Sequence, residues 1–192
     1  MKKSSMARIA VFVVVVGVLI AVAVVKRPAG NSGETDVETM QNSPEPEALY
    51  EAVKAAYGED YLPNMRLTDE EIEGYFGVTK DLYTSAIAEI PMINTQVDTF
   101  ALFQAKDEAS KEALKEALVA YQEVLENDTF QYPANLLKIQ ASTVFMQGDY
   151  VCFVMLGTLD NETMQQEDEG KVIEAYRAEN DKAINAMKAL FS

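Results

Sequence analysis

The chain contains no histidine and a single cysteine, Cys152, in 192 residues. Without histidine the commonest general base and the commonest metal ligand are both missing. Serine–histidine and cysteine–histidine catalysis are excluded with it. One cysteine cannot close an internal disulfide, so oxidising surroundings would add no staple. The sequence also lacks G-x-x-x-x-G-K-[ST], G-x-G-x-x-G, G-x-S-x-G and CxxC, the short signatures of phosphate cradles, dinucleotide sites, nucleophile elbows and redox pairs.

What is present is most distinctive near the amino terminus. Ile9 to Val25 is an unbroken apolar run of 17 residues, nine of them valine, with Lys2, Lys3 and Arg8 before it and Lys26 and Arg27 after it. As a helix it would span about 26 Å, close to the roughly 30 Å of a bilayer core. Snorkelling of Lys26 and Arg27 would close the gap. A soluble amphipathic helix would need a polar face, which the run lacks. The charge excess on the amino-terminal side predicts a cytoplasmic amino terminus and an extracellular remainder. Two fates stay open. The run is either a retained single-pass anchor, or the core of a signal peptide cleaved near Ala23, since Ala21-Val22-Ala23 is an A-x-A site.

The formal net charge is −15, and five of its positive charges are Lys2, Lys3, Arg8, Lys26 and Arg27, so the remainder carries −20. That balance argues against nucleic acid and against docking on anionic lipid. The expected organisation is an anchor or signal peptide over 1–27, a flexible linker over 28–43 and an α+β domain over 44–192.

Within that domain the spacing predicts a helix over Pro44–Tyr57, with Ser43 as N-cap and Gly58 as its stop. Thr68 and Glu71 form a T-x-x-E capping box for a short helix over Asp69–Phe76, which should bury Ile72, Tyr75 and Phe76. Leu82–Ile90 and Val97–Ala105 read as strands separated by Pro91. Asp107 caps a long helix reaching about Glu126, with Leu114, Leu118, Tyr121 and Leu125 on one stripe. Lys138–Met146 and Tyr150–Leu156 read as a hairpin around Gln147-Gly148-Asp149. Asp160–Gly170 reads as an acidic loop and Lys171–Phe191 as the last helix. The order α-α-β-β-α-β-β-α predicts a four-stranded antiparallel sheet with helices packed on one face, preceded by one transmembrane helix.

Ala55–Asn64 (AAYGEDYLPN), Ile90–Asn94 (IPMIN), Phe100–Asp107 (FALFQAKD), Tyr132-Pro133 and Gly148–Val154 (GDYVCFV) occur in that order. On these motifs the chain resembles the domain of unknown function 4358 family, found mostly in clostridial and related Gram-positive bacteria, over roughly residues 46–190. The resemblance implies an exported, envelope-attached α+β domain and no assigned activity. Many members look like lipoproteins. This chain has no lipobox cysteine, which leaves anchoring to Ile9–Val25.

Candidate sites are sparse. Cys152 sits in an apolar strand and reads as a buried small hydrophobe. Asp160, Glu162, Glu167, Asp168 and Glu169 crowd one loop, where a weak calcium site is conceivable, but Gln165 stands where an EF-hand loop requires glycine. Asp69, Glu70, Glu71 and Glu73 open a helix and complement its dipole. Asp60, Asn64 and Asn94 read as turn formers, with a ligand-facing polar cluster as the alternative. Tyr50, Tyr57, Tyr61 and Tyr75 either pack the first helices on the sheet or line a groove. No catalytic, cofactor-binding or metal residue is assigned. The function expected is a membrane-tethered, non-enzymatic binding or scaffold module of the cell envelope. The alternatives are a carboxylate-dependent hydrolase and a weak calcium-binding domain.

Overall fold

The structure, a computed structural model, describes residues 43–93 and 95–191. Ile9–Val25 and most of the expected linker, through residue 42, lie outside the described residues. Among the described residues no helix is long and apolar enough to cross a membrane.

Helix α1 is Pro46–Tyr57. It begins two residues later than the sequence predicts. Glu45 takes the N-cap position without a side-chain cap bond, and Pro46 supplies the preset φ of the first turn. Strand β1 is Met65–Arg66, and α2 is Asp69–Phe76. In α2 the expected capping box is complete: Thr68 accepts from the Glu71 N–H and the Glu71 carboxylate accepts from the Thr68 N–H. Gly77 closes the helix in the left-handed conformation. Ile72 and Phe76 are buried, but Tyr75 is 49% exposed, contrary to expectation.

Strands β2 (Tyr83–Ile90) and β3 (Thr99–Ala105) follow, then α3 (Glu108–Asn127), whose first turn is capped by Asp107. Helix α4 is Leu136–Ala141, β4 is Thr143–Gln147 and β5 is Tyr150–Met155. A short helix α5 (Asn161–Met164) interrupts the acidic loop before α6, Glu169–Lys188.

Two expectations are overturned. The sheet has five strands, not four, all antiparallel in the order β1-β2-β3-β5-β4. The added strand β1 is two residues long and pairs Met65 with Ile90 and Arg66 with Glu89. So short a strand carries no periodicity of its own; it forms because the chain passes the edge of β2. The second correction concerns the layers. Helices cover both faces of the sheet, not one. Phe103, Val151 and Phe153 pack with Ile72 and Phe76 of α2 and Leu114 and Leu118 of α3. Phe100, Leu102, Cys152 and Val154 pack with Leu49 and Val53 of α1 and Ala183 and Met187 of α6. Both alternating sets of β3 and β5 are apolar, so each face needs a helical cover.

Lys138–Ala141 is also helical where a strand is expected. The four-residue run Leu136-Leu137-Lys138-Ile139 is too short to separate the two periods.

Candidate functional site

Strands β2 and β3 are joined by residues 91–98, and α3 and α4 by residues 128–135. These two loops meet at one end of the sheet, where Asn135 Nδ2 donates to Thr95 O at 3.0 Å. Neither holds much charge. Ile90–Val97 and Thr129–Leu137 contain no charged side chain, in a chain whose charged fraction is 24%. They nevertheless expose Phe130 (93%), Met92 (72%), Ile93 (57%) and Tyr132 (52%). Scattered exposed apolar residues are ordinary, but four on two adjoining uncharged loops form a patch of the kind that marks interaction surfaces.

Two cavities open at this end. The first, about 300 Å³, lies between Met65, Ile90, Pro91, Tyr121, Leu125 and Met155, with Gln96, Thr99 and Gln131 as its polar groups. Burial pushes the Tyr121 hydroxyl up to about 12, so it remains protonated. The second cavity, about 220 Å³, shares Gln96 and Val97 with the first. Its polar lining includes Asp98, Lys138 and Asn135, and Leu159 and Tyr176 lie beside them.

Asp98 and Lys138 are an ion pair with almost no solvent. Lys138 Nζ lies 2.6 Å from Asp98 Oδ1, with side chains 8% and 4% exposed, and donates to Gly157 O at 2.7 Å. The approach to Oδ1 is too oblique for a good hydrogen bond, so that oxygen is charge-paired yet lacks a well-placed donor. Burial pushes the Asp98 carboxyl up and the Lys138 ammonium down, and each charge opposes the other's shift. The pair ties the loop after β2 to α4 and to the segment leaving β5. Neither residue was singled out in the sequence. Asp98 stands there in one alternating set of a strand with Phe100, Leu102 and Gln104, and Lys138 at the start of a hairpin.

The residues that were singled out lie elsewhere or serve structure. Cys152 is fully buried, with Sγ 3.8 Å from Met187 Sδ, and burial pushes its thiol up. Asp160 and Asp168 are spent as helix caps, accepting from the Thr163 and Gly170 N–H groups. Among the described residues no group of three or more acidic or cysteine side chains is placed to hold a metal ion. Asp69 accepts from the Tyr83 hydroxyl at 2.8 Å, and Glu71 belongs to the capping box. Asp60 is exposed in a single turn of 3₁₀ helix. Asn64 braces the end of β2, its N–H donating to Ile90 O and its Oδ1 accepting from the Met92 N–H. Asn94 lies outside the described residues.

The tyrosines divide. Tyr50 and Tyr61 donate to the two oxygens of Glu89 at 2.7 and 3.0 Å, and Tyr57 donates to Glu179 O at 2.6 Å. They fasten α1 and the following turn to the sheet and to α6. Of these four, Tyr75 is the one that lines the first cavity, beside Tyr121. Glu89 is 7% exposed; the sequence does not mark it, because alternation alone does not say which strand face a helix covers.

A model of the family described as Domain of unknown function (DUF4358) matches residues 56–156, just over half of the chain. The chain belongs to this family. The family match contains all five strands, α2, α3 and α4, and therefore both cavities' loops, while α6 and nearly all of α1 fall outside it. No curated protein and no solved structure matches the chain.

Proposed function

We propose that the domain is a non-enzymatic binding module, held at a membrane by Ile9–Val25 and presented on the extracytoplasmic side. Its partner is another protein of the cell envelope, contacted through the charge-free stretches 91–97 and 129–135 of the two loops. The observation that carries this reading is the exposed set Met92, Ile93, Phe130 and Tyr132 on two adjoining loops, of which Met92 also lines the first cavity. Depletion of charge with aromatic and methionine side chains at the centre is the composition of protein interfaces.

The polarity of the domain supports it. The described chain enters beside the β4–β5 turn, where Tyr150 Oη donates to Pro44 O at 2.6 Å. Met155, at the other end of β5, lines the first cavity. The six residues of β5 separate the two by about 17 Å. The two loops therefore stand at the end of the sheet away from Pro44, close to where the described residues begin.

A two-carboxylate hydrolase finds no support at this site, because Asp98 is the one carboxylate lining either cavity and it is paired with Lys138. The test is a photo-crosslinking residue placed at Tyr132, with a control at Glu51 on α1. The reading expects one defined envelope-protein adduct from position 132, absent from position 51 and lost when Phe130→Asp is added. Equal adducts from both positions, or none from either, would sink it.

A further inference from the structure

Independently of the loop surface at the end of the sheet, its β4 edge carries its own signal. Sheet edges expose unpaired backbone groups, and proteins commonly blunt them with charge, proline or a bulge. Strand β4 has none of these. Residues 139–148 read Ile-Gln-Ala-Ser-Thr-Val-Phe-Met-Gln-Gly, with no charged side chain and no proline, in a chain of net charge −15. The strand pairs with β5 in unbroken register from Thr143↔Val154 to Gln147↔Tyr150.

The turn tells which backbone groups face outward. Gly148 has φ 58° and Asp149 a negative φ, so the two-residue connection is of the II′ kind. Its flanking residues, Gln147 and Tyr150, then form a hydrogen-bonded pair, and alternation makes Phe145/Cys152 and Thr143/Val154 the next ones. The far side of β5 agrees, since Ala105 N donates to Asp149 O at 2.8 Å, which directs residues 149, 151, 153 and 155 to β3. The N–H and C=O groups of Val144 and Met146 therefore point away from the sheet. Among the described residues no hydrogen bond reaches them.

We propose that β4 pairs antiparallel with β4 of a second copy of this chain, joining two five-stranded sheets across a twofold axis at Phe145. The strand is self-complementary in this register. Val144 faces Met146 of the copy and Met146 faces Val144, so all four outward backbone groups on each side are satisfied. The interface is isologous and closes at two copies. Phe145 already belongs to the edge of the core formed with α1 and α6, and pairing brings two such edges together. Charge permits the same site, because the strand itself carries none and Lys188 of α6, over the Phe145 ring at 5.1 Å, sets a cation beside it, while the net-negative remainder of each chain repels its copy. Screening that remote repulsion strengthens the association.

The test uses the full-length chain in detergent solution, by sedimentation velocity and by disulfide trapping. Wild-type protein is expected to show a monomer–dimer equilibrium that tightens as salt is raised. Val144→Pro and Met146→Pro each remove one outward N–H and leave the bonds to β5 in place; each should weaken dimerisation by about tenfold or more. Phe145→Cys should trap a disulfide dimer, since the two residues oppose each other across the axis with Cα atoms roughly 4.5 Å apart. Gln147→Cys, which faces Thr143 of the copy, should not. Buried Cys152 supplies no background. A monomer at every concentration overturns the proposal, as does equal trapping at positions 145 and 147. A dimer indifferent to two folded proline variants does so too. If the proline variants fail to fold, the two cysteine variants still decide.

Discussion

Lys138 Nζ of α4 lies 2.6 Å from Asp98 Oδ1, forty residues earlier in the chain, and both side chains are more than nine-tenths buried. Removing one partner strands a charge. Lys138→Met and Asp98→Leu are each expected to cost about 3–5 kcal/mol, whereas the double variant should be nearly neutral or more stable than wild type. Urea unfolding of the four proteins measures the coupling directly. Additive single effects would show that the pair does not act as a unit.

Gly157 supplies the carbonyl that accepts from Lys138, and its φ is 93°. A Cβ there would lie 2.5 Å from Glu179 Cβ on α6. Gly157→Ala is therefore penalised by both backbone and contact, and should lose more than about 1 kcal/mol. Its thermal midpoint should fall well below that of Gly74→Ala, whose added methyl meets nothing within 4 Å and which sits inside helix α2.

The pH dependence has two opposed parts. Backbone N–H groups of Thr68, Ser110 and Thr163 hold the carboxyls of Glu71, Asp107 and Asp160 below their ordinary range. A depressed folded value means stability present above about pH 4 and lost as pH falls through the folded value. Asp98 is raised by burial, so its folded form takes up a proton first and its own contribution rises as pH falls. With three caps against one buried acid, the net expectation is acid destabilisation. Asp107→Asn retains a capping oxygen but cannot titrate, so its unfolding midpoint should fall less steeply than wild type between about pH 4 and pH 2.

Phe130 is 93% exposed, and its backbone N–H donates to Asp128 Oδ1. Phe130→Asp and Ile93→Asp should each leave stability within about 0.5 kcal/mol of wild type. Both should abolish capture of a partner at position 132. A large loss of stability would show instead that the loops are part of the core.

Much of the framework was legible in the chain itself. The capping box at Thr68–Glu71, the N-cap Asp107, the strands around Ile90 and Thr99, and the Gly148 turn are local signals, decided by backbone bonds within a few residues. The family likeness read from the same segments is shown by the match over residues 56–156. The candidate site was not legible. Its parts are individually bland: an aspartate at a strand entrance, a lysine in an ambiguous apolar run, and two uncharged loops.

Composition and order determined, without any coordinates, that histidine-dependent catalysis and internal disulfides are excluded. They also determined that the chain is strongly acidic and that its elements alternate toward an antiparallel α+β domain. Only the tertiary structure decided the fifth strand, the cover on both faces, the burial of Asp98 with Lys138 and the meeting of the two neutral loops. Helix caps and turns depend on neighbours along the chain. Burial, pairing of distant charges and the fate of a sheet edge depend on which segments lie against one another in space.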